Sequence, residues 1–342
     1  MAAMSDSAYR AAGVNLEAAA EALDGITASV ESTYDDRVLA GIGAFGGLFE
    51  LRDLPPQPVL VASTDGVGTK TMVAAELDRV DDLGRDIVNH CLNDILVQGA
   101  RPLFFLDYIA SSRLSAQLIA RVVASAAAAC REAGMPLLGG ETAEMPGVYR
   151  TGELDLVGTI IGLVGRDSII DGSAIREGDI VVGLQSGGLQ TNGFSLARAA
   201  LHGRYGEALD PADPDGPRIG DALLVPHRSY VSAVRPLLDA GLVHGMAHIT
   251  GGGIPGNLKR VLPEGLMARI DTTAWQPPAI FDLIRTSGEV SQAEMFDVFN
   301  MGMGYVLVLD PADLDRAREL AGEELTVIGT VLPGEGVELD FG

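Results

Sequence analysis

Basic residues are scarce in this chain. It carries 24 Lys and Arg against 47 Asp and Glu over 342 residues, a net charge of −23, and no Lys/Arg cluster occurs anywhere. Nucleic acids and anionic membrane surfaces are bound by such clusters, so we expect no nucleic-acid partner and no membrane partner. A phosphate-bearing ligand would need local compensation from a divalent cation, helix N-termini or single cations.

Cysteines and long apolar runs are also scarce. The two cysteines, Cys91 and Cys130, each lie in a helix-like apolar pattern, which excludes a disulfide framework and a zinc-binding spacing. No run reaches the ~18 apolar residues of a membrane helix, and Met1–Ser7 lacks the basic start and apolar core of a signal peptide. A cytoplasmic protein is the expectation.

The length and the order of patterns predict two domains. At 342 residues the chain exceeds the ~100–200 residues typical of one domain. Helical spacing over 15–32 and 114–133 alternates with strand-like runs at 102–111 and 154–164. A polar interval follows Val164, and the second half again mixes strands and helices. We predict domains at 1–168 and 169–342.

The loop Ser63–Lys70 has the composition of a phosphate and metal site. It follows the strand-like run Val59–Ala62 and contains Asp65, Gly66, Gly68, Thr69 and Lys70. Glycines let backbone N–H groups approach an anion, Asp65 can hold a divalent cation, and Lys70 can neutralise phosphate charge. An ordinary turn with a solvated lysine is the alternative. The loop is not a Walker A motif, because Thr69 rather than glycine precedes Lys70.

A second informative run is a polar stripe on a predicted helix. Asp86, Asn89, His90, Asn93 and Asp94 fall at i, i+3, i+4, i+7 and i+8, which places them on one helix face. Asn and Asp are poorer helix formers than the Lys and Glu of an ordinary surface. We predict a ligand-facing stripe with Asp94 as a second metal carboxylate; a solvated face with a surface histidine is the alternative.

Three glycine-rich runs extend the set. In Gly139–Gly147, Glu141 could bind metal or act as a base and Thr142 could bind phosphate, but a turn capped by acids is equally consistent. Asp107, near the end of the preceding strand, is a possible further acid. Ser186–Gly193 and His248–Gly253 each precede a predicted helix, where N–H groups favour an anion. Gly41–Gly46 matches G-x-G-x-x-G, but no helix pattern follows, so we reject a dinucleotide fold.

Taken in order, these runs resemble the phosphoribosylformylglycinamidine cyclo-ligase family, also called aminoimidazole ribonucleotide (AIR) synthetases. The resemblance spans nearly the whole chain and rests on the following runs: Tyr9–Val14, Thr64–Lys70, Asn93-Asp94 with Gln98–Ala100, Pro102–Tyr108, Gly139–Gly147 and His248–Gly253.

The resemblance implies a two-domain α+β fold, shared with thiamine-monophosphate kinase and selenophosphate synthetase. An N-terminal ATP/Mg²⁺ domain would contribute strands to a barrel-like sheet completed in a homodimer, and a C-terminal α/β sandwich domain would bind the substrate phosphate. ATP and Mg²⁺ are the implied cofactors, with K⁺ as an optional further cation. The implied substrate is formylglycinamidine ribonucleotide (FGAM), cyclised to AIR with release of ADP and phosphate.

The resemblance also implies roles for individual residues. Lys70, Asn93, Glu141 and His248 are expected at the chemistry, as phosphate cation, orienting amide, acid and proton carrier. The remaining expectations are grouped by ligand: Asp65, Asp94 and Glu141 for Mg²⁺; Asp65, Gly66, Gly68, Thr69, Lys70, Gly139, Gly140 and Thr142 for ATP; Thr250, Gly251, Gly252 and Gly253 for the ribose 5-phosphate.

Some positions depart from the family pattern. The family usually has lysine at Thr27 and often histidine at Gln190, and Glu31–Asp36 is acidic where relatives are commonly basic. These departures bear on the N-terminal nucleotide contacts and on acid/base chemistry at position 190. A kinase of the same superfamily and a non-catalytic nucleotide-binding protein are the competing interpretations.

Overall fold

The computed structural model describes the backbone of residues 16–342 and the side chains from residue 20 onward. The Tyr9–Val14 motif and the predicted helix start at Asn15 lie outside these residues. Over 16–342 the helices are α1 (Leu16–Glu31), α2 (Lys70–Glu76), α3 (Leu83–Leu96), α4 (Ala116–Glu132), α5 (Phe194–Leu201), α6 (Ile219–Leu223), α7 (Val231–Asp239), α8 (Gly253–Leu258), α9 (Ala279–Ser287), α10 (Gln292–Val298) and α11 (Leu314–Ala321).

The strands of the same region form three sheets. They are β1 (Val38–Ala40), β2 (Leu48–Phe49), β3 (Pro58–Gly66), β4 (Arg101–Ser111), β5 (Leu137–Glu144), β6 (Leu154–Gly165), β7 (Ile180–Gln185), β8 (Gly245–His248), β9 (Leu266–Asp271), β10 (Met303–Leu309), β11 (Thr326–Pro333) and β12 (Gly336–Asp340). Short 3₁₀ turns at Arg166–Ser168 and Pro311–Asp313 complete the described elements.

The chain divides into two compact units. The first comprises residues up to Pro55, Ala62–Cys91 and Pro102–Leu163, and the second comprises Pro56–Val61, Leu92–Arg101 and Val164–Gly342. Both mix helices with sheets, which confirms the predicted two-domain α+β class.

The first unit is built on a four-stranded sheet in the order β3-β6-β4-β5. Strands β4 and β5 are parallel, with Asp107 opposite Gly140. Helix α4 begins at Ser115, whose hydroxyl accepts from the N–H of Leu118, and it buries apolar residues at helical spacing. Helix α1 packs on α4. Helix α3 also lies close to α4, because a Cβ at Gly84 would meet the Val122 carbonyl oxygen at 2.1 Å.

The second unit is built on a six-stranded sheet in the order β12-β9-β11-β7-β10-β8. Strand β10 is buried at every residue and pairs antiparallel with both β7 and β8, the second of which is an edge strand of the sheet. Helices α7 and α11 pack together over the core that β7 and β10 help to form. This arrangement ends β8 at His248, beside the glycine turn that leads into α8.

The rejected G-x-G-x-x-G match behaves as a connection between strands. Residues 41–47 link β1 to its antiparallel partner β2, and no helix begins within or directly after them.

Within residues 16–342, none of the helices combines the length and apolarity that crossing a bilayer requires.

Candidate functional site

The Asp65–Lys70 loop connects the end of β3 to the start of α2. Its sharp turn uses Gly68, which has a φ of +67° that favours glycine. Asp65 keeps 45% of its side chain exposed, its Oδ1 accepts from the N–H of Gly66 at 2.7 Å, and its Oδ2 lies 2.9 Å from Nε2 of His90. The carboxylate is therefore oriented by the protein while still reaching solvent.

Lys70 is buried rather than solvated. Its side chain is 1% exposed, and its Nζ donates to Oδ1 of Asp86 at 2.8 Å. The ammonium charge is neutralised by a carboxylate that is itself fully buried. The alternative of a solvated lysine is thus wrong, while the phosphate role of Lys70 stays a prediction.

The polar stripe of α3 faces the protein interior. Asp86, Asn89, His90 and Asn93 are each at most 5% exposed, so the stripe is not a solvated face. Asp86 meets Lys70 and His90 meets Asp65 in the first unit. Asn93 and Asp94 belong to the second unit, where Asn93 bonds to the 228–230 loop and Asp94 contacts His248.

Asn93 uses both ends of its amide on one loop. Its Nδ2 donates to the carbonyl of Arg228 at 2.8 Å, and its Oδ1 accepts from the N–H of Tyr230 at 3.1 Å. The side chain is completely buried. These bonds attach the loop to helix α3, and the predicted role of Asn93 in orienting substrate is not tested by them.

A cavity of about 240 Å³ lies in the first unit beside the Gly139–Thr142 run. Its lining combines the apolar side chains Leu23, Ile26 and Val30 of α1 with the polar residues Asp107, Glu141 and Thr142. This volume is close to the lower end of small-molecule sites, and an apolar cavity with a few polar groups is their usual composition. The structure therefore places the predicted residues Gly139, Gly140, Glu141 and Thr142 on one concave surface.

Asp107 is the titratable group whose environment is most unusual in this cavity. Burial raises the pKa of its carboxyl to about 7. Its Oδ1 lies directly over Gly140, where a Cβ would be only 1.9 Å away. A glycine is required there so that the two neighbouring strands can pair with the carboxyl between them.

Four side chains of the second unit make a continuous row of polar contacts. Oδ1 of Asp94 lies 2.8 Å from Nδ1 of His248, and Nε2 of His248 lies 3.1 Å from Nε2 of His227. Nδ1 of His227 in turn lies 3.1 Å from Oγ1 of Thr191. The predicted residues Asp94 and His248 are thus brought together, and His227 and Thr191 extend the contact.

The turn before α5 is held by hydrogen bonds from the buried side chain of Asn300. Asn300 donates to the carbonyls of Gly188 and Leu189 and accepts from the N–H of Gly302. Gln190, in the left-handed region at φ +64°, is buried and donates to the Tyr230 hydroxyl at 2.9 Å. An amide neither takes up nor releases a proton at neutral pH, so Gln190 can orient groups but cannot act as an acid or base.

The turn Thr250–Gly253 is organised by a residue that sequence reasoning missed. Nδ2 of Asn257 lies within hydrogen-bonding distance of the carbonyls of Thr250, Gly251 and Gly253. Gly253 has no room for a side chain, since a Cβ would lie 1.7 Å from the Phe296 carbonyl oxygen. Helix α8 has only six residues, and the phosphate role of 250–253 stays a prediction.

The three predicted magnesium ligands suit a hard cation in their chemistry. All are carboxylates, Asp65 and Asp94 keep 45% and 26% of their side chains exposed, and Glu141 is exposed. Oxygen donors that reach water match Mg²⁺, which retains several water ligands. Asp65 and Glu141 belong to the first unit and Asp94 to the second.

Family models match most of the chain. The model described as AIR synthase related protein, N-terminal domain, matches residues 34–164, and that for the C-terminal domain matches 176–342.

Curated relatives match over nearly the full length. The phosphoribosylformylglycinamidine cyclo-ligase of Desulfitobacterium hafniense is 48% identical over 328 residues, covering 94% of this chain and 96% of that protein. The protein of the same name from Bifidobacterium animalis subsp. lactis is 46% identical over 340 residues, covering 98% and 99%.

Solved structures share the fold at low identity. Thiamine-monophosphate kinase from Stenotrophomonas maltophilia has a TM-score of 0.68 at 22% identity, covering 93% of this chain and 96% of that one. The hydrogenase maturation protein HypE, solved in complex with ATP, has a TM-score of 0.61 at 22% identity, covering 89% and 84%.

Proposed function

Because the chain belongs to the AIR synthase related family, we propose that it is a phosphoribosylformylglycinamidine cyclo-ligase of purine biosynthesis. It closes the imidazole ring of AIR from FGAM and consumes one ATP per ring. The observation that carries this proposal is the 48% identity to a cyclo-ligase over 94% of the chain.

The chemistry explains the need for ATP. An amide oxygen is a poor leaving group, so it is first phosphorylated. The γ-phosphoryl group moves to the formyl oxygen of FGAM and ADP leaves. A substrate nitrogen then attacks the formyl carbon, the carbon–oxygen bond breaks to release phosphate, and the nitrogen loses its proton. Phosphoryl transfer asks the protein mainly for positioning and charge neutralisation.

In the first unit, ATP binds along the Asp65–Lys70 loop and the Gly139–Thr142 run. The cavity beside Gly139–Thr142 supports this assignment, because its apolar lining residues on α1 suit a flat base and its polar lining residues suit a nucleotide's hydrogen-bonding groups. Thr27, on the same helix, bonds its hydroxyl back to the carbonyl of Leu23 and supplies no positive charge. Nucleotide binding at α1 then relies on apolar contact.

Mg²⁺, with K⁺ as an optional second ion, supplies neutralisation of the phosphate charge when bound. Asp65, Asp94 and Glu141 are the carboxylates assigned to it. Asp65 is held by the Gly66 N–H and by His90, so its carboxylate is oriented before a ligand arrives. Lys70 stays assigned to phosphate charge, and its pairing with Asp86 fixes where that charge lies.

In the second unit, the turn Thr250–Gly253 binds the ribose 5-phosphate of FGAM. Its support is the backbone geometry that Asn257 imposes on the turn. His248 ends β8, is separated from this turn by Ile249 alone, and is the proposed proton carrier.

The protein acts as a homodimer in the cytoplasm. The support for the dimer is a group of large apolar side chains of the first 60 residues that are 46–116% exposed. They are Leu39, Phe45, Leu48, Leu51, Leu54 and Leu60. Sedimentation equilibrium of the wild type and of Leu60→Lys tests this, with a dimer expected for the former and weakened association for the latter.

ADP release, coupled to an optical assay, tests the function. The purified full chain is given ATP and Mg²⁺ with FGAM in one arm and thiamine monophosphate in the other. ADP, phosphate and AIR should appear in equal amounts in the FGAM arm only. ADP without free phosphate in the thiamine monophosphate arm would identify a kinase instead. ATP binding without ADP release in either arm would leave a nucleotide-binding protein.

A further inference from the structure

The row Asp94, His248, His227 and Thr191 is assembled from four separate parts of the second unit. Asp94 is on α3, His248 ends β8, His227 precedes α7, and Thr191 is in the turn before α5. His227, His248 and Thr191 are 1%, 5% and 7% exposed. The two imidazole rings meet edge to face, with an interplanar angle of 62°.

With both imidazole rings neutral, the carboxylate at the start of the row sets the direction of every hydrogen bond in it. A carboxylate only accepts hydrogen bonds, so Nδ1 of His248 carries the proton that faces Asp94. A neutral imidazole has one N–H, which leaves Nε2 of His248 as an acceptor. The proton between the two Nε2 atoms, 3.1 Å apart, therefore belongs to His227.

The same reasoning continues to Thr191. With its proton on Nε2, His227 presents Nδ1 as an acceptor, and the Thr191 hydroxyl must donate to it across 3.1 Å. The Thr191 oxygen also lies 3.5 Å from Nδ2 of Asn192, which donates to it. The hydroxyl proton is turned inward, and the oxygen acts as an acceptor toward other groups.

We propose that His227 is a positioning residue, which holds His248 in the Nδ1–H tautomer against Asp94 and makes Thr191 a hydrogen-bond acceptor. The ligand chemistry that suits Thr191 is then an N–H donor rather than an ionised phosphate, whose oxygens only accept.

The consequence for catalysis rests on the proposed function. His248 is the proposed proton carrier. FGAM has amidine N–H groups, which can donate hydrogen bonds to the Thr191 oxygen. Without His227, the His248 ring loses the contact that fixes its second nitrogen, and the Thr191 hydroxyl is able to rotate. Loss of the partners that orient metal-ligating side chains typically costs about 10–100-fold in metal affinity or activity, and we expect a loss of similar size here.

Nitrogen NMR on the full chain tests the tautomers directly. The protein has five histidines, so ¹⁵N-histidine labelling with long-range ¹H–¹⁵N correlation resolves each ring once single His→Gln variants assign them. We expect Nδ1–H for His248 and Nε2–H for His227. In His227→Phe, the His248 nitrogen shifts should change. His244, whose Nδ1 lies 2.7 Å from Oδ2 of Asp179, is outside the row and should keep its shifts.

Kinetics on matched variants test the functional role. His227→Phe keeps a ring but removes both nitrogens, and kcat with FGAM should fall about tenfold or more with the KM for ATP changed less than about twofold. His227→Gln can donate to His248 and accept from Thr191, so it should recover most of kcat. Thr191→Val should resemble His227→Phe, whereas Thr191→Ser, which keeps the hydroxyl, should resemble the wild type. His244→Gln should retain full kcat.

Specific results would overturn the proposal. An Nε2–H tautomer for His248 in the wild type would remove its basis, as would wild-type kcat in both His227→Phe and Thr191→Val. If His227→Phe does not fold, the kcat values of Thr191→Val and Thr191→Ser and the histidine nitrogen shifts of His227→Gln decide whether the proposal holds. The NMR experiment determines the tautomers without substrate. Absence of ring-closing activity would therefore overturn the proposed function, and the proposed tautomers would still be tested by NMR.

Discussion

Lys70 and Asp86 form an ion pair that is removed from water on both sides. Nζ of Lys70 lies 2.8 Å from Oδ1 of Asp86, and the two side chains are 1% and 0% exposed. The pair joins the start of α2 to the first turn of α3 within the first unit. It positions the lysine of the Asp65–Lys70 loop independently of any ligand.

Breaking this pair should be costly. Lys70→Met leaves a buried carboxylate without its countercharge, and we expect a loss of about 3–5 kcal/mol in the free energy of unfolding. Urea titration followed by circular dichroism measures it. The double variant Lys70→Met/Asp86→Leu, which removes both charges, should recover much of that loss; equal instability of the single and double variants would contradict the ion-pair explanation.

Gly140 should tolerate no side chain, whereas Gly139 should. A Cβ at Gly140 would lie 1.9 Å from Oδ1 and 2.4 Å from the carbonyl oxygen of Asp107, while one at Gly139 has nothing nearer than Leu106 at 4.0 Å. Gly140→Ala should therefore lower the free energy of unfolding by about 1–3 kcal/mol through strain. Gly139→Ala is the matched control, and equal thermal midpoints for the two variants would contradict the crowding at Gly140.

Asp107 should make the first unit less stable as the pH rises. Its pKa is about 7 in the folded chain and about 3.8 when unfolded. The folded state therefore holds a proton that the unfolded state releases between these values, and stability falls with pH up to about 7.

The variant Asp107→Asn removes this dependence. One pKa unit corresponds to about 1.4 kcal/mol, and since the side chain is partly exposed we expect the gain over wild type to be about 1–2 kcal/mol larger at pH 8 than at pH 5. Urea unfolding at the two pH values measures it, with the exposed Glu76→Gln as control. A gain that is the same at both pH values would show that burial does not govern this carboxyl.

Asn93 should be needed to attach the 228–230 loop. Asn93→Asp keeps the acceptor for the Tyr230 N–H but places a buried oxygen against the Arg228 carbonyl, where the amide had donated. We expect a loss of about 2–4 kcal/mol in stability. Gln98→Glu, an exposed amide of the same region, should lose almost nothing, and a stable Asn93→Asp would refute the attachment role.

Asp65 should matter for turnover more than for folding. Its side chain is 45% exposed, so Asp65→Asn should change the free energy of unfolding by less than about 1 kcal/mol. If Asp65 holds Mg²⁺ at the nucleotide phosphates as proposed, loss of its charge should lower kcat by about a hundredfold or more. Steady-state kinetics with FGAM and a thermal melt measure the two effects, and a large loss of stability with normal kcat would return Asp65 to a structural role.

Local patterns predicted the fold best where one face of an element is strongly apolar. The helix predicted to follow Ser186–Gly193 is α5, and the predicted 15–32 helix covers α1. Helix α7 was not predicted, because Pro236 lies inside it and proline normally ends a helix. Strand β8 has only four residues, too few for a periodic signal.

The loops of the candidate site carry a local sequence signal, whereas the pairings between its side chains do not. Glycines and acids at Asp65–Lys70 and Gly139–Thr142 gave a local signal, and the second of these runs lines a cavity. Whether Lys70 is solvated or buried depends on Asp86 in another helix, which no local pattern reveals. His227 carries no signal at all, since its contacts, His248 and Thr191, lie 21 and 36 positions away.

The positions of the two thiols have a practical consequence. Cys91 and Cys130 are both 0% exposed, both belong to the first unit, and burial raises the pKa of the Cys130 thiol well above its usual value. A disulfide reagent added to the intact enzyme can therefore react only after that half of the molecule opens. The rate of modification then reports how often the first unit opens, in the wild-type chain and in each variant, without any engineered label.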